Sequence, residues 1–367
     1  MRKARWLLGM AGLVVVTGAV WGIGAGSAAP KKGGSIIVFM PPGTDNYLAE
    51  WQKGARAQAK ALGYSIKIIE NKFDQNEQDN QVRQQLASGT KPDAYVWWPV
   101  DNKAGVASLR ALGTSGVPTV MTNQYPLKGT DKWWVAYAGV DDFLNGRVSA
   151  KLMAEARKKQ LAKGVKLHST GGNALIIRFP AGYSAGDDRN TAFLGEMKRL
   201  GVKLKVLSSQ NAGFGETDGY KIGSQMVAAT KSKGIDFVYA ENDALATGII
   251  QALRAGGLKP GKNVIVVGGT CHGNLTDLLS GAEYGTGLQA AYLEGQFSVT
   301  AVNRYLSGGK KVIAKKFYGP ADPKKAPSAT GPAFKYMFIP NPPVRYGKKN
   351  IDKTYLYGRS MRQLCTY

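Results

Sequence analysis

Two cysteines and two histidines in 367 residues leave little material for metal or thiol chemistry. His168 and His272 stand far apart, and neither has a cysteine or carboxylate at a ligand spacing, so no metal and no cofactor are expected. Acidic residues are also scarce, 25 against 49 lysines and arginines, for a net charge of +24. Only one long apolar run occurs, at the N-terminus, which excludes a multi-span membrane protein. The paired glycines Gly33-Gly34, Gly171-Gly172 and Gly268-Gly269 form neither a dinucleotide fingerprint nor a phosphate loop.

The apolar run has a recognisable form. MRKAR, then WLLGMAGLVVVTGAVW, then the small residues GIGAGSAAP make up the three parts of a secretory signal over residues 1–29, with cleavage near Ala29. A single membrane anchor is the alternative reading. No cysteine lies near the cleavage region, so a lipid anchor is not indicated. Export would place Cys271 and Cys365 in an oxidising compartment, where they either bridge or remain as two buried thiols. Loss of the signal leaves a net charge of +21. Thirteen cations against Asp322 and Asp352 crowd residues 309–367. Such a tail suits anionic envelope surfaces as well as phosphate backbones.

Beyond the signal, short apolar runs alternate with amphipathic stretches. SIIVFM (35–40), SIKIIE (65–70), DAYVWW (93–98) and VPTVMT (117–122) read as strands, with helices over about 48–62, 75–87 and up to Leu112 between them. The pattern pauses at WWVAYAGVDD (133–142) and resumes. Strands NALIIRF (173–179), VKLKVLS (202–208), IDFVYA (235–240), NVIVVGG (263–269) and YGTGLQ (284–289) interleave with helices near 142–161, 185–200, 217–229 and 244–255. One more helix follows at 293–306. Two such sets predict an α/β protein of two doubly wound parallel-sheet lobes. In such sheets ligands bind outside the carboxyl ends of the strands, and the loops there are rich in Asn, Asp, Gln, Thr and aromatic residues.

One of those loops, GYSAGDDRNTAF (182–193), contains Gly-x-Ser-x-Gly and raises a serine hydrolase as an alternative, with Ser184 as nucleophile, Asp236 or Asp243 as acid and His272 as base. Three residues separate Ser184 from its strand, and Asp187 and Asp188 put negative charge where an oxyanion would need stabilising. A non-enzymatic reading is preferred.

Taken in order, GTDNYLAEWQKGARAQAKALGY, GTKPDAYVWWPVDN, GVPTVMTNQ, AYAGVDDFLNGRVSA, SAGDDRNTAF, FVYAENDALATGIIQALRAGG, NVIVVGGT and GTGLQ resemble the type I periplasmic binding proteins of the ribose- and galactose-binding kind. The resemblance runs from Ser35 to about Lys316. It implies an N-terminal lobe of residues 35–139 plus 290–316, a C-terminal lobe of 140–289, and a basic extension, 317–367, returning over the lobes. Chain crossings fall near Gly139–Asp141, near Gln289–Ala291 and after Lys316. It implies ligand-binding roles for Asp45, Tyr47, Trp98, Gln124, Asp187, Phe214, Asn242, Thr270 and Gln289, with Tyr47 and Phe214 as stacking rings and the amides holding hydroxyls. Asp45 has helix capping as its alternative role. The chain departs from the family where Asp187 replaces a ligand-gripping Arg, leaving Arg189 to match the second Arg, and where Thr270 replaces Asp. These exchanges point away from ribose and galactose, toward a polyol, an amino- or deoxy-sugar, or a small cationic or amide ligand. The implied function is a monomeric, periplasmic or envelope-associated sugar-binding component of an ABC importer. Its partners would be a small sugar-like solute and a membrane permease, with no nucleic acid; the family's repressors carry a helix-turn-helix where this chain has its export signal. A receptor feeding a membrane kinase or chemoreceptor is the alternative.

Overall fold

The computed structural model describes residues 34–44, 46–319 and 324–365; the expected signal segment and Asp45 lie outside them. In the first lobe, β1 (Ser35–Met40), α1 (Asn46–Leu62), β2 (Ser65–Glu70), α2 (Gln75–Ala87), β3 (Ala94–Trp97), α3 (Val106–Thr114), β4 (Thr119–Met121) and β5 (Ala136–Gly139) alternate as the periodicity predicts. β5 lies within WWVAYAGVDD, where the pattern pauses: four consecutive buried residues carry no alternation to read. The second lobe comprises α4 (Asp142–Ala162), β6 (Asn173–Arg178), α5 (Ser184–Arg199), β7 (Lys205–Asn211), α6 (Glu216–Thr230), β8 (Phe237–Ala240), α7 (Asp243–Ala255), β9 (Ile265–Val267), α8 (Leu275–Ser280) and β10 (Glu283–Gly287). The chain then returns to the first lobe as α9 (Ala291–Ser307), β11 (Val312–Phe317) and β12 (Ala333–Phe338), joins the second sheet as β13 (Pro343–Arg345), and continues through α10 (Lys348–Ile351), the hairpin of β14 (Thr354–Leu356) and β15 (Arg359–Ser360), and α11 (Met361–Leu364).

The first sheet runs β11-β12-β5-β4-β3-β1-β2 and the second β13-β10-β9-β8-β6-β7. All pairings in both are parallel except β13 against β10. Helices cover both faces of each sheet, giving apolar layers such as Trp51, Val96 and Phe297 on one side of the first and Trp97, Leu109 and Tyr137 on the other. The chain passes between the sheets three times, after Gly139, after Gly287 and between Phe338 and Pro343.

The described part of 317–367, residues 317–319 and 324–365, differs from the extension expected to lie over the lobes. β12 is an internal strand of the first sheet, and Ile351, Leu356, Met361 and Leu364 are buried in the same core as Trp51. The tail hides this in sequence because its lysines sit on the flank it shares with solvent. β11, the edge strand VIAKKF, is largely exposed, and charged edges discourage pairing with other chains. The tail is fastened by a disulfide between Cys271 and Cys365, with Cα atoms 5.8 Å apart. Among the described residues, no helix is long and apolar enough to cross a membrane.

α1 and α9 cross on two glycines. A Cβ at Gly54 would lie 1.9 Å from the Tyr292 carbonyl oxygen, and one at Gly295 would lie 2.0 Å from that of Trp51. Gly54→Ala is therefore expected to cost about 1–3 kcal/mol. Gly195→Ala, inside α5 with open space around it, should gain about 0.5–1 kcal/mol from helix propensity. Denaturant midpoints of the two variants should move in opposite directions. The disulfide gives a second test: Cys365→Ser should lower stability by about 2–5 kcal/mol, and a reductant should shift the wild-type midpoint while leaving the variant's unchanged.

Candidate functional site

The carboxyl ends of both sheets face one another across a cleft, and side chains from each lobe line a single cavity. From the first lobe come Tyr47 and Leu48 in the first turn of α1, Phe73 after β2, Trp98 after β3 and Asn123 after β4. The second lobe supplies Phe179 and Tyr183 after β6, Arg189 on α5, Phe214 after β7, Asn242 and Ala244 at the start of α7, and Thr270 and His272 after β9. Gln289 enters from the second interlobe crossing. The space left between these walls is small in this form, ≈ 70 Å³, below the roughly 300–1,000 Å³ of open small-molecule sites.

Aromatic rings dominate the wall. Tyr47 meets Trp98 edge-on at 6.2 Å and His272 at 5.1 Å. Phe214 packs on Phe179 at 5.1 Å and on Tyr183 at 4.9 Å, and it stacks on Phe73 of the opposite lobe at 5.4 Å with 22° between the planes. Phe73 is 38% exposed at the mouth, and its φ of 58° is unusual for a bulky side chain. Asn123 (φ 63°) and Cys271 (φ 61°), which lies between Thr270 and His272, share that conformation. Backbone strain of this kind gathers where surrounding structure holds a functional loop in place.

Polar side chains behind the rings form a connected network. Arg189 donates from Nε to Asp142 Oδ1 at 2.7 Å, from Nη1 to the Glu241 carbonyl at 2.8 Å and from Nη2 to Gln289 Oε1 at 3.1 Å. Burial disfavours its charge, but Asp142 outweighs that and holds the guanidinium protonated. Gln289 Nε2 donates to the Tyr47 hydroxyl at 2.8 Å, and that hydroxyl donates to Glu294 Oε2 at 2.8 Å. Asn123 Nδ2 also donates to Glu294, at 3.3 Å, while Asn123 Oδ1 receives the Tyr183 hydroxyl at 2.8 Å. Burial pushes Glu294 up to about 8, and Glu241, whose Oε2 receives the Phe179 amide, likewise to about 8.

Of the residues expected from sequence, Tyr47, Trp98, Phe214, Asn242, Thr270 and Gln289 line this one cavity. Asn242 also caps α7, with Oδ1 receiving Leu245 N–H at 2.7 Å and Nδ2 donating to the Phe214 carbonyl at 2.9 Å. Thr270 Oγ1 receives Asp243 N–H at 3.3 Å. Two residues lie elsewhere. Gln124 is buried outside the lining, its Nε2 donating to the Pro99 carbonyl at 2.6 Å and its Oε1 accepting the Ser184 hydroxyl at 3.1 Å, a bond between the lobes. Asp187 has 61% of its side chain exposed and pairs with Arg178, which draws it toward solvent. Phe73, Asn123, Phe179 and Tyr183 were not expected. Asn123 and Tyr183 stand in loops that follow strands, whereas Phe73 has only its place after β2 to mark it.

The hydrolase constellation does not assemble. Ser184 gives its proton to an amide oxygen of Gln124. Asp236 holds His168 Nδ1 at 2.8 Å and the Asn173 amide at 2.7 Å, while Asp243 accepts from the amides of Gly269 and Thr270 and from Thr286. Cys271, His272 and Cys365 offer ligand atoms within 4.8 Å of one another, but both sulfurs are joined in the disulfide.

Two lobes closing on a cleft between strand ends define a solute-binding protein architecture. The chain belongs to the periplasmic binding protein domain family, whose family model matches residues 36–311. It is 24% identical over 212 residues to the galactofuranose-binding protein YtfQ of Escherichia coli, covering 58% of this chain and 63% of that protein. It is 26% identical over 238 residues to the ribose import binding protein RbsB of Bacillus subtilis, covering 65% and 70%. Among solved structures, an ABC transporter solute binding protein from Agrobacterium vitis with bound D-fucose superposes with a TM-score of 0.70 at 21% identity, covering 88% of this chain and all of that one.

Glu294 makes the site's pH response testable. Unfolded, its carboxyl ionises near the ordinary 4.5; folded, it keeps its proton to about 8. Across that window the unfolded chain has released a proton that the folded one retains, so rising pH erodes stability by up to about 1.4 kcal/mol per pH unit for this group. Glu294→Gln removes the group from the linkage. Chemical unfolding from pH 5 to 8 should show a shallower decline in the variant than in wild type.

Proposed function

We propose that the protein is an exported, monomeric solute-binding component of an ABC importer, which captures a small sugar or sugar-like solute between its lobes and presents the closed form to a membrane permease. The observation that carries this is the cavity itself, whose walls come from both lobes of one chain. Relatives named as galactofuranose-binding and ribose import binding proteins support the solute class, and the N-terminal signal-like segment supports export. Nucleic acid has no part in this reading.

Specific side-chain contacts hold the cleft closed. Phe73 on Phe214, Tyr183 on Asn123 and Ser184 on Gln124 join the lobes directly. Rotation about the three crossings would separate all of them, and a solute touching both walls shifts the balance toward closure. In small-angle scattering, the ligand-free protein should be wider than this structure, and saturating sugar should bring the profile onto it. An unchanged radius at saturation would count against hinge closure. The same sugar at a hundredfold excess over its Kd should add about 2.7 kcal/mol of stability, read as a rise in Tm.

A further inference from the structure

The lining chemistry narrows the solute class, granted the sugar reading above. Each phenol, amide and guanidinium in the wall already holds a protein partner: Gln289 binds Tyr47, Asn145 and Arg189, Asn242 binds Leu245 and Phe214, and Asn123 binds Tyr183 and Glu294. A ligand hydroxyl would share those groups with the protein, as at Arg189, which uses three of its five N–H donors. The ring faces carry no such commitment to hydrogen bonding. Of Asp45 and Asp187, the acidic groups that favoured a cationic ligand on sequence grounds, Asp187 is turned out to Arg178. The charged side chain at the wall is instead Arg189, whose guanidinium carbon lies 5.0 Å from the centre of the Phe179 ring, so an ammonium group would meet like charge.

We propose that this site selects a deoxy-sugar, a ring compound with fewer hydroxyls than a pentose or hexose, which turns a methyl or methylene face toward the Phe73–Phe214 side of the cavity. A methyl group replacing a hydroxymethyl group there gains apolar contact with the rings. The hydroxylated counterpart brings a polar group against the side chains of Phe73, Phe179 and Phe214, which offer it no hydrogen bond, a penalty of roughly tenfold or more in affinity. Phe73 contributes as the movable half of the ring pair: it stands on a first-lobe loop, in a backbone conformation rare for phenylalanine, and reaches the second lobe's Phe214 at the cavity mouth.

The test is calorimetric titration of the purified protein with matched pairs: D-fucose against D-galactose, L-rhamnose against L-mannose, and 2-deoxy-D-ribose against D-ribose. In any pair that binds, the deoxy member should be at least tenfold tighter, and Phe73→Ala should reduce that ratio at least threefold while leaving the unfolding midpoint of the ligand-free protein within error. Equal or tighter binding of the hydroxylated member overturns the inference and leaves the sugar reading standing, as does an undiminished ratio in the Phe73 variant. Failure of every sugar in the panel to bind overturns the sugar reading, and this inference with it.

Discussion

Arg189 is the residue on which the architecture of the site turns. Its guanidinium is buried, and three of its donors bind three separate parts of the chain: the first turn of α4, the end of β8 and the crossing that carries Gln289. A charge in such a place is tolerable only with full pairing, because desolvation costs several kcal/mol and an ion pair recovers it only when the geometry is complete. The arrangement therefore contributes orientation more than net stability. It fixes where Gln289 points, and Gln289 fixes the Tyr47 hydroxyl of the other lobe. From there the network continues through Glu294 and Asn123 to Tyr183, back in the second lobe. Two of the rings lining the cavity, Tyr47 and Tyr183, are held through their hydroxyls by this chain of bonds.

Closure and strain belong to the same design. Phe73, Asn123 and Cys271 all adopt left-handed backbone conformations, at a cost of order 1–3 kcal/mol each. Phe73 and Asn123 make direct contacts to the opposite lobe. Cys271 adjoins two lining residues and is tied through its sulfur to the C-terminal tail. The tail thus steadies the loop bearing Thr270 and His272, linking a stability element to a recognition element.

The two doubly wound lobes were legible because buried parallel strands and amphipathic helices differ in period, and the helix boundaries fell within a residue or two of those expected. The site was legible where a residue type has one good use at a strand end: Tyr47, Phe214 and Gln289 all reach the cavity. It was not legible where function depends on which of several neighbours a side chain chooses. Gln124 and Asn123 are adjacent in sequence and equally polar, yet Gln124 bonds the backbone of Pro99 and Val100 while Asn123 faces the cavity. Asp187 and Arg189 sit on one helix turn. One pairs at the surface with Arg178 and the other with buried Asp142. Only the tertiary environment separates such cases, because local spacing is the same for both.

The basic tail shows how composition misleads when a segment serves two environments at once. Read by charge, 317–367 is a solvated extension suited to an anionic surface. In the structure its apolar residues alternate between two destinations, with Met337 and Phe338 inside the first lobe and Val344 inside the second sheet's border. The lysines are what remains on the outer flank. Lys335 is the exception: its ammonium lies 3.6 Å from the centre of the Trp134 ring and donates to the carbonyls of Asp131 and Trp134 at 2.8 Å, so a charged residue fastens an internal strand to its neighbours. High net charge is here compatible with a structural tail, because most of its cations lie exposed while Met337, Phe338, Val344, Ile351 and Leu364 are buried.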